Sequence, residues 1–293
     1  MKRPLILITP GDPAGIGPEI IAKALASPDL PSECDYELLE YPKTAIEGKP
    51  DTHSARIALE ALEEAARRLK EGSADAVVTG PVAKDSLQAI GFPYPGQTEF
   101  FTERLGARDT TMCLTGDHLT VALATIHIPL AEVATRLTTD AIVSCGRLLA
   151  DYMRQRLQRS PRIAVCGLNP HAGENGAFGR EEIEIITPAI RELQSMQLAE
   201  FSGPHVPDAI FREAAHGRYD ALVCMYHDQG LIPLKLLDFD NAVNITLGLP
   251  RPRLSPDHGT AFSIAGKNLA DPSSMLRAMQ RAAEMVISAP LPS

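Results

Sequence analysis

Short apolar runs alternate along the chain with longer stretches in which apolar positions recur every three to four residues. The runs Leu5–Thr9, Ala76–Thr79, Met112–Leu114, Leu119–Ala124, Arg162–Cys166, Ala221–Met225 and Ala242–Thr246 have the length and content of buried strands. Helical periodicity covers Pro18–Ala26, Ser54–Glu71, Thr139–Arg159, Glu181–Met196 and Pro272–Ser288. In Ser54–Glu71, Ile57, Leu59, Leu62, Ala65, Ala66 and Leu69 form the apolar stripe. Arg67, Arg68 and Lys70 gather near its end, where cations complement the helix dipole, and Gly72 is the stop. The helix from Thr139 carries Arg154, Arg156 and Arg159 at its end, with Ser160-Pro161 as its expected stop. Strand–helix alternation predicts an α/β protein with a largely parallel sheet, whose chemistry sits beyond the carboxyl ends of the strands. The Pro-rich stretch Pro28–Pro50 reads as a weakly structured connection. No linker marks a domain boundary, so domains formed by excursion and return of the chain are expected.

The 293 residues favour two domains over one. A hydrophobic share of 44% with 22% charged residues is that of a globular protein and argues against disorder as the main state. The net charge of −9 argues against nucleic-acid binding, which needs cations to displace phosphate counterions, but leaves room for a small anion held by a few local cations. No apolar run reaches the ~20 residues of a membrane span. The N-terminal run is cut by Gly11-Asp12-Pro13, which favours a first strand over a signal peptide. The five cysteines form no C-x-x-C pair, and buried free thiols in a reducing cytoplasm are the expectation.

Several stretches carry candidate chemistry. Gly11, Gly15 and Gly17, in Thr9-Pro10-Gly11-Asp12-Pro13-Ala14-Gly15-Ile16-Gly17-Pro18-Glu19, fit either a ligand loop at a helix N-terminus or a tight strand–helix connection; the spacing is not G-x-G-x-x-G. Lys84, after Thr79-Gly80-Pro81-Val82, is an anion contact or a surface charge. Gln97 and Thr98 can donate hydrogen bonds at a helix start, or Thr98 is simply its N-cap. His127, His171 and His227 each lie at or just past the end of a predicted strand. Three imidazoles suit Zn²⁺ or a similar divalent ion with a position left open, against the alternative of three unrelated core or loop histidines. Asp228 is a candidate to orient a ligand, to accept a proton, or to cap a helix. Lys235, Asn244 and Arg253 recur every nine residues around an apolar strand and form a candidate clamp for a carboxylate or phosphate. The loop from Ser255 to Pro272 suits a flat heterocycle such as adenine.

Together these motifs resemble the 4-hydroxythreonine-4-phosphate dehydrogenase family over nearly the whole chain. The resemblance is carried by residues 8–19, Thr79-Gly80-Pro81-Val82, Gly167-Leu168-Asn169-Pro170-His171-Ala172-Gly173-Glu174-Asn175-Gly176, Met225-Tyr226-His227-Asp228-Gln229-Gly230-Leu231 and Val243-Asn244-Ile245-Thr246-Leu247-Gly248-Leu249-Pro250. It implies two α/β/α domains of isocitrate/isopropylmalate dehydrogenase type with the active site in the interdomain cleft. The expected division is 1–110 plus 255–293 against 111–254. It implies a cytoplasmic homodimer in which His127, His171 and His227 hold Zn, Mg or Co, with ligands shared between subunits. Gln97, Thr98, Lys235, Asn244 and Arg253 would contact an anionic hydroxy-acid substrate. His258, Gly259, Thr260, Ala261, Ile264, Ala265 and Asp271 would bind NAD or NADP, since this loop also resembles that of the β-decarboxylating dehydrogenases. The implied reaction oxidises the 3-hydroxyl of 4-phosphooxy-L-threonine to a β-keto acid that decarboxylates to 3-amino-2-oxopropyl phosphate, in pyridoxal phosphate biosynthesis. The family's usual Gly-His-Thr-Glu-Phe reads Gly96-Gln97-Thr98-Glu99-Phe100 here, and the segment between Leu30 and His53 is short for the family. Relatives act on phosphorylated sugar acids such as 4-phospho-threonate or erythronate and on dihydrodiol carboxylates, which are the alternative substrates. A catalytically silent metal- or nucleotide-binding homologue is the alternative of a different class.

Overall fold

A computed structural model describes residues 3–288, which divide into two compact units, 3–108 with 243–288 and 109–242. Residues 243–254, expected in the second domain, belong instead to the first unit, because they build two strands of its sheet.

The first unit opens with β1 (Leu5–Thr9), α1 (Gly17–Leu25), β2 (Asp35–Leu38), α2 (Thr52–Glu71), β3 (Ala76–Thr79), α3 (Lys84–Ala89) and α4 (Gln97–Leu105). The second contains β4 (Thr111–Thr115), β5 (Thr120–Leu123), α5 (Val133–Arg136), α6 (Thr139–Leu157), β6 (Arg162–Cys166), α7 (Thr187–Ser195), β7 (Glu200–His205), α8 (Pro207–Ala215), β8 (Ala221–Cys224) and α9 (His227–Asp238). The chain then returns to the first unit for β9 (Val243–Leu247), β10 (Arg253–Pro256) and α10 (Ser273–Ser288). In the first unit the strand order is β2-β1-β3-β10-β9, parallel except for β9. In the second it is β4-β5-β8-β6-β7, parallel except for β4. Both are α/β sheets of the predicted class.

Leu7 and Val77 pack against Ala58, Leu62 and Leu69 of α2 and against Phe100 and Phe101 of α4. Asp51 caps α2 through a bond from Ser54 N (2.8 Å), and Gly72 ends it with φ 75°. In the second unit Leu114, Val121, Leu123, Cys166 and Cys224 pack beneath Leu231 and Leu234 of α9 and Ile210 of α8. Gly230 is required inside α9, where a Cβ would lie 3.1 Å from Cys224 Sγ.

Other expectations need correction. Pro28–Pro50 contains β2, an edge strand of sequence Asp-Tyr-Glu-Leu too short and polar to stand out. It is held to β1 and clamped by Arg68, whose guanidinium donates to both oxygens of Glu37 at 2.5 and 3.0 Å. α6 stops at Gln158, in the left-handed region at φ 54°, before Ser160-Pro161 is reached. The helix expected from Glu181 begins as a wide turn over Glu182–Ile186, because Pro188 has no N–H to bond the preceding turn. All five cysteines are free and buried. No helix among the described residues is long and apolar enough to cross a membrane.

Candidate active site

The glycine motifs of the first unit serve backbone packing. A Cβ on Gly11 would sit 2.3 Å from Pro81 O, and one on Gly17 2.2 Å from Pro10 O. The loops after β1 and β3 interlock here, with Asp12 N donating to Pro81 O at 2.9 Å. Gly15 passes just as closely under Thr260, whose carbonyl accepts from Ile16 N at 2.9 Å. The segment expected to bind nucleotide is thereby fastened to the first strand–helix turn. Ala261 has φ 42°, Ile264 closes a single helical turn, and Ala265 is buried just after it. His258 bonds Gly259 O through Nδ1 (3.1 Å), while its Nε2 is buried without a partner. Asp271 accepts from Ser273 N at 2.8 Å and so starts α10, a structural task that sequence reasoning did not assign to it.

Arg253 is the hub of this unit. It is 2% exposed and lies opposite Thr246 in the β9–β10 pair. Its Nη2 donates to Thr79 Oγ1 (2.7 Å) and Gln97 Oε1 (2.8 Å), and Nη1 to Thr246 Oγ1 (3.4 Å). A guanidinium only donates, which fixes the orientation of the Gln97 amide and leaves its NH2 free to donate elsewhere. Among the described residues its hydrogen bonds go to two threonine hydroxyls and the Gln97 amide. Burial pulls its pKa down to about 9, opposed by the Glu99 charge. Its Nε is buried and unpartnered, as is Oδ1 of Asn244. Thr98 is not the helix cap, since α4 starts one residue earlier from Gly96; its hydroxyl instead faces Thr246 Oγ1 at 3.4 Å. A buried cation hydrogen-bonded by neutral hydroxyls and an amide, with the Glu99 charge acting only at longer range, is costly and leaves room for an anion to join it. Thr79 and Thr246, which complete the hub, were not singled out from sequence; their signal was the strand-end placement of Thr79 and the face that Thr246 shares with Asn244 on β9. Lys84 is exposed, and Lys235 lies on α9 in the second unit.

In the second unit His127, His227 and His171 follow β5, β8 and β6, three adjacent parallel strands. The rings of His127 and His227 have centroids 5.9 Å apart. Two imidazoles on one tetrahedral ion, with Zn–N of about 2.0–2.1 Å, would have centroids roughly 5–6 Å apart, so this pair fits a divalent cation. His227 Nδ1 is bonded to Asp228 Oδ1 at 2.7 Å, which orients the ring and leaves Nε2 as the nitrogen a metal could take. Among the described residues of one chain no group of three potential ligands closes around a common point. His171 is therefore not brought to the other two within a single chain.

His171 begins an unusual segment. Residues 171–175 all have positive φ, between 42° and 78°, and four of them are not glycine. At ~1–2 kcal/mol per left-handed residue, those four cost roughly 4–8 kcal/mol. Three hydrogen bonds to the buried carboxylate of Glu182, at ~1.5–3 kcal/mol each, are of the size needed to offset it. Leu168 N and Asn169 N donate to Oε1 at 2.8 and 2.7 Å, and Asn169 Nδ2 to Oε2 at 3.0 Å. Gln229, also buried, accepts from Met225 N (2.6 Å) and donates to Gly167 O (2.7 Å), tying the start of the His227 loop to the start of the His171 loop. Thr125 Oγ1 donates to Met225 O at 2.7 Å and joins the His127 loop to the same point. Glu182, Asn169 and Gln229 were not singled out from sequence, because a buried Glu in an apparent helix and a Gln beside a histidine read as ordinary polar positions.

Two α/β units, one with a buried arginine hub and one with histidines at three strand ends, place the chain in the fold class of the β-decarboxylating dehydrogenases. An isocitrate dehydrogenase from Methylococcus capsulatus shares that fold at a TM-score of 0.54 and 17% identity. Residues 20–282 match the family described as "Pyridoxal phosphate biosynthetic protein PdxA", and the chain belongs to that family. It is 42% identical over 317 residues to a 4-hydroxythreonine-4-phosphate dehydrogenase from Zymomonas mobilis, covering 95% of this chain and 94% of that protein. The crystal structure of the Klebsiella pneumoniae protein of the same name superposes with a TM-score of 0.84 at 35% identity, over 97% of this chain and 98% of that one. A terephthalate 1,2-cis-dihydrodiol dehydrogenase from Burkholderia xenovorans follows at 0.70 and 28%, over 97% and 99%.

Proposed function

We propose that this protein is an NAD-dependent, divalent-metal-dependent dehydrogenase that oxidises the 3-hydroxyl of 4-phosphooxy-L-threonine, the β-keto acid product losing CO₂ to give 3-amino-2-oxopropyl phosphate in pyridoxal phosphate biosynthesis. The observation that carries this reading is the nearly full-length likeness to proteins named for that substrate. The Arg253 hub supports it, because a desolvated guanidinium hydrogen-bonded to hydroxyls and an amide suits an anionic substrate group. Thr98, the free NH2 of Gln97, Asn244 and Lys235 would orient the rest of the substrate. His127, His171 and His227 would hold the cation, which when bound supplies Lewis-acid chemistry at the reacting hydroxyl and during loss of CO₂. Asp228 holds the His227 ring in one orientation and is the candidate proton acceptor. The 258–271 segment would place the nicotinamide cofactor as hydride acceptor.

The protein is further proposed to be a cytoplasmic homodimer. Five unpaired thiols support a reducing compartment. Ile232 and Leu236 on α9 and Phe239 just past its end, 66–82% exposed, support a covered face along that helix. Light scattering of the purified protein checks the dimer; a monomer at micromolar concentration would remove it.

The test is NADH formation with 4-phosphooxy-L-threonine, 4-phospho-threonate and a dihydrodiol carboxylate, each with Zn²⁺, Mg²⁺ or Co²⁺. Fastest turnover of the first is expected. Preference for the dihydrodiol would favour the second reading, which the Burkholderia xenovorans likeness supports. No turnover despite bound metal and NAD would indicate a silent homologue.

A further inference from the structure

Glu182 is 3% exposed and opens the wide turn that precedes α7. Its carboxylate receives three hydrogen bonds, all from Leu168 and Asn169, the residues that lead into the left-handed segment beginning at His171. The segment is moulded around it. A Cβ on Gly173 would lie 2.5 Å from Glu182 Oε2, and one on Gly167 3.2 Å from Oε1. Glu181 takes a second bond from Asn169 Nδ2 at 2.7 Å, so Asn169 is gripped from both sides. Gly173 and Asn175 adopt the left-handed region readily, but His171, Ala172 and Glu174 do not, and they persist there because the surroundings over-determine them.

We propose that Glu182 is a positioning residue that sets the location of the His171 imidazole by templating residues 167–176. The proposal rests on the reading of His171 as a metal ligand. Glutamine is isosteric with glutamate but cannot replace it: in one orientation its NH2 faces the Asn169 amide NH2, in the other it faces two backbone N–H groups. Either way donors oppose donors.

The experiment compares wild type, Glu182→Gln, His171→Ala and Asn169→Ala as the full chain, measuring zinc affinity by competition with a chelator, NAD affinity by titration, and amide hydrogen exchange of the zinc-free protein. For Glu182→Gln the expected result is zinc affinity about 10–100-fold weaker, the range for losing a group that orients a ligand. Exchange protection should fall at Leu168 and Asn169, with NAD affinity unchanged. If zinc binding collapses in His171→Ala while Glu182→Gln keeps wild-type affinity, the role of Glu182 is overturned and the metal reading stands. Wild-type zinc affinity in His171→Ala would overturn the metal reading and the role of Glu182 with it. Unchanged exchange protection in Glu182→Gln also overturns the proposal. Should that variant not fold, Asn169→Ala removes one of the three bonds; a several-fold loss of zinc affinity supports the proposal, and wild-type affinity overturns it.

Discussion

Arg253 in the first unit is buried and bonded to three side chains, whereas His127 and His171 in the second unit are exposed and stand on loops fixed from below by Thr125, Glu182 and Gln229. In the first case the functional group is itself part of the core. In the second, fold and function are divided between residues, so that imidazoles remain open while other groups carry the strain of holding them. In the proposed reading the first arrangement would tie anion recognition to a buried charge, and the second would let a histidine be replaced without opening the core.

The largest expected effect comes from the strand-end histidines, His171 exposed and His227 half-buried. His171→Ala or His227→Ala should lower kcat by more than the roughly 10–100-fold of losing an orienting partner, with the melting temperature nearly unchanged. Steady-state rates beside a thermal melt check both halves; substantial activity would break the division of labour. Arg253→Met should cost at least roughly 100-fold in kcat/KM. Its stability should change little, because relief from burying a cation is set against the acceptors on Thr79, Thr246 and Gln97 and the Glu99 charge that lose their partner. A clear fall in melting temperature would show the guanidinium to be a net support of the core. Gln229→Leu strands the Met225 N–H and the Gly167 carbonyl and should destabilise by about 2–4 kcal/mol in urea unfolding. A cost near zero would mean that the strand ends do not depend on that bridge.

The smallest effect concerns pH. The bond to Asp238 raises the His118 pKa above its ordinary 6.5. That contribution to stability is complete below about pH 6.5 and fades as pH rises through the raised value. His118→Gln should flatten the dependence of melting temperature on pH across that window. An identical slope in both proteins would assign no stabilising role to the pair.

Reading the chain alone located the residues but not the structural partners that hold them. The strand-end histidines, Arg253 and the Gly11–Gly17 turn were visible because residue type and local periodicity are local properties. Asp271, expected at the nucleotide, also starts a helix; of the two readings of Thr98, the cap is the one set aside, and its hydroxyl faces Thr246. β2, β7, β10 and α9 went unrecognised. The short edge strands β2 and β7, the four-residue interior strand β10 and a helix interrupted by Gly230 and Pro233 are stabilised by neighbours rather than by their own propensities.

What the sequence determined by itself was the alternation of buried strands and amphipathic helices, because burial patterns repeat within a few residues of themselves. Tertiary structure decided which distant groups meet: Arg253 with Thr79 across 174 positions, Gln229 with Gly167 across 62. It also decided that residues 171–175 run left-handed, a conformation unfavourable to each of the non-glycine residues taken singly and held by a carboxylate folded in from the next element.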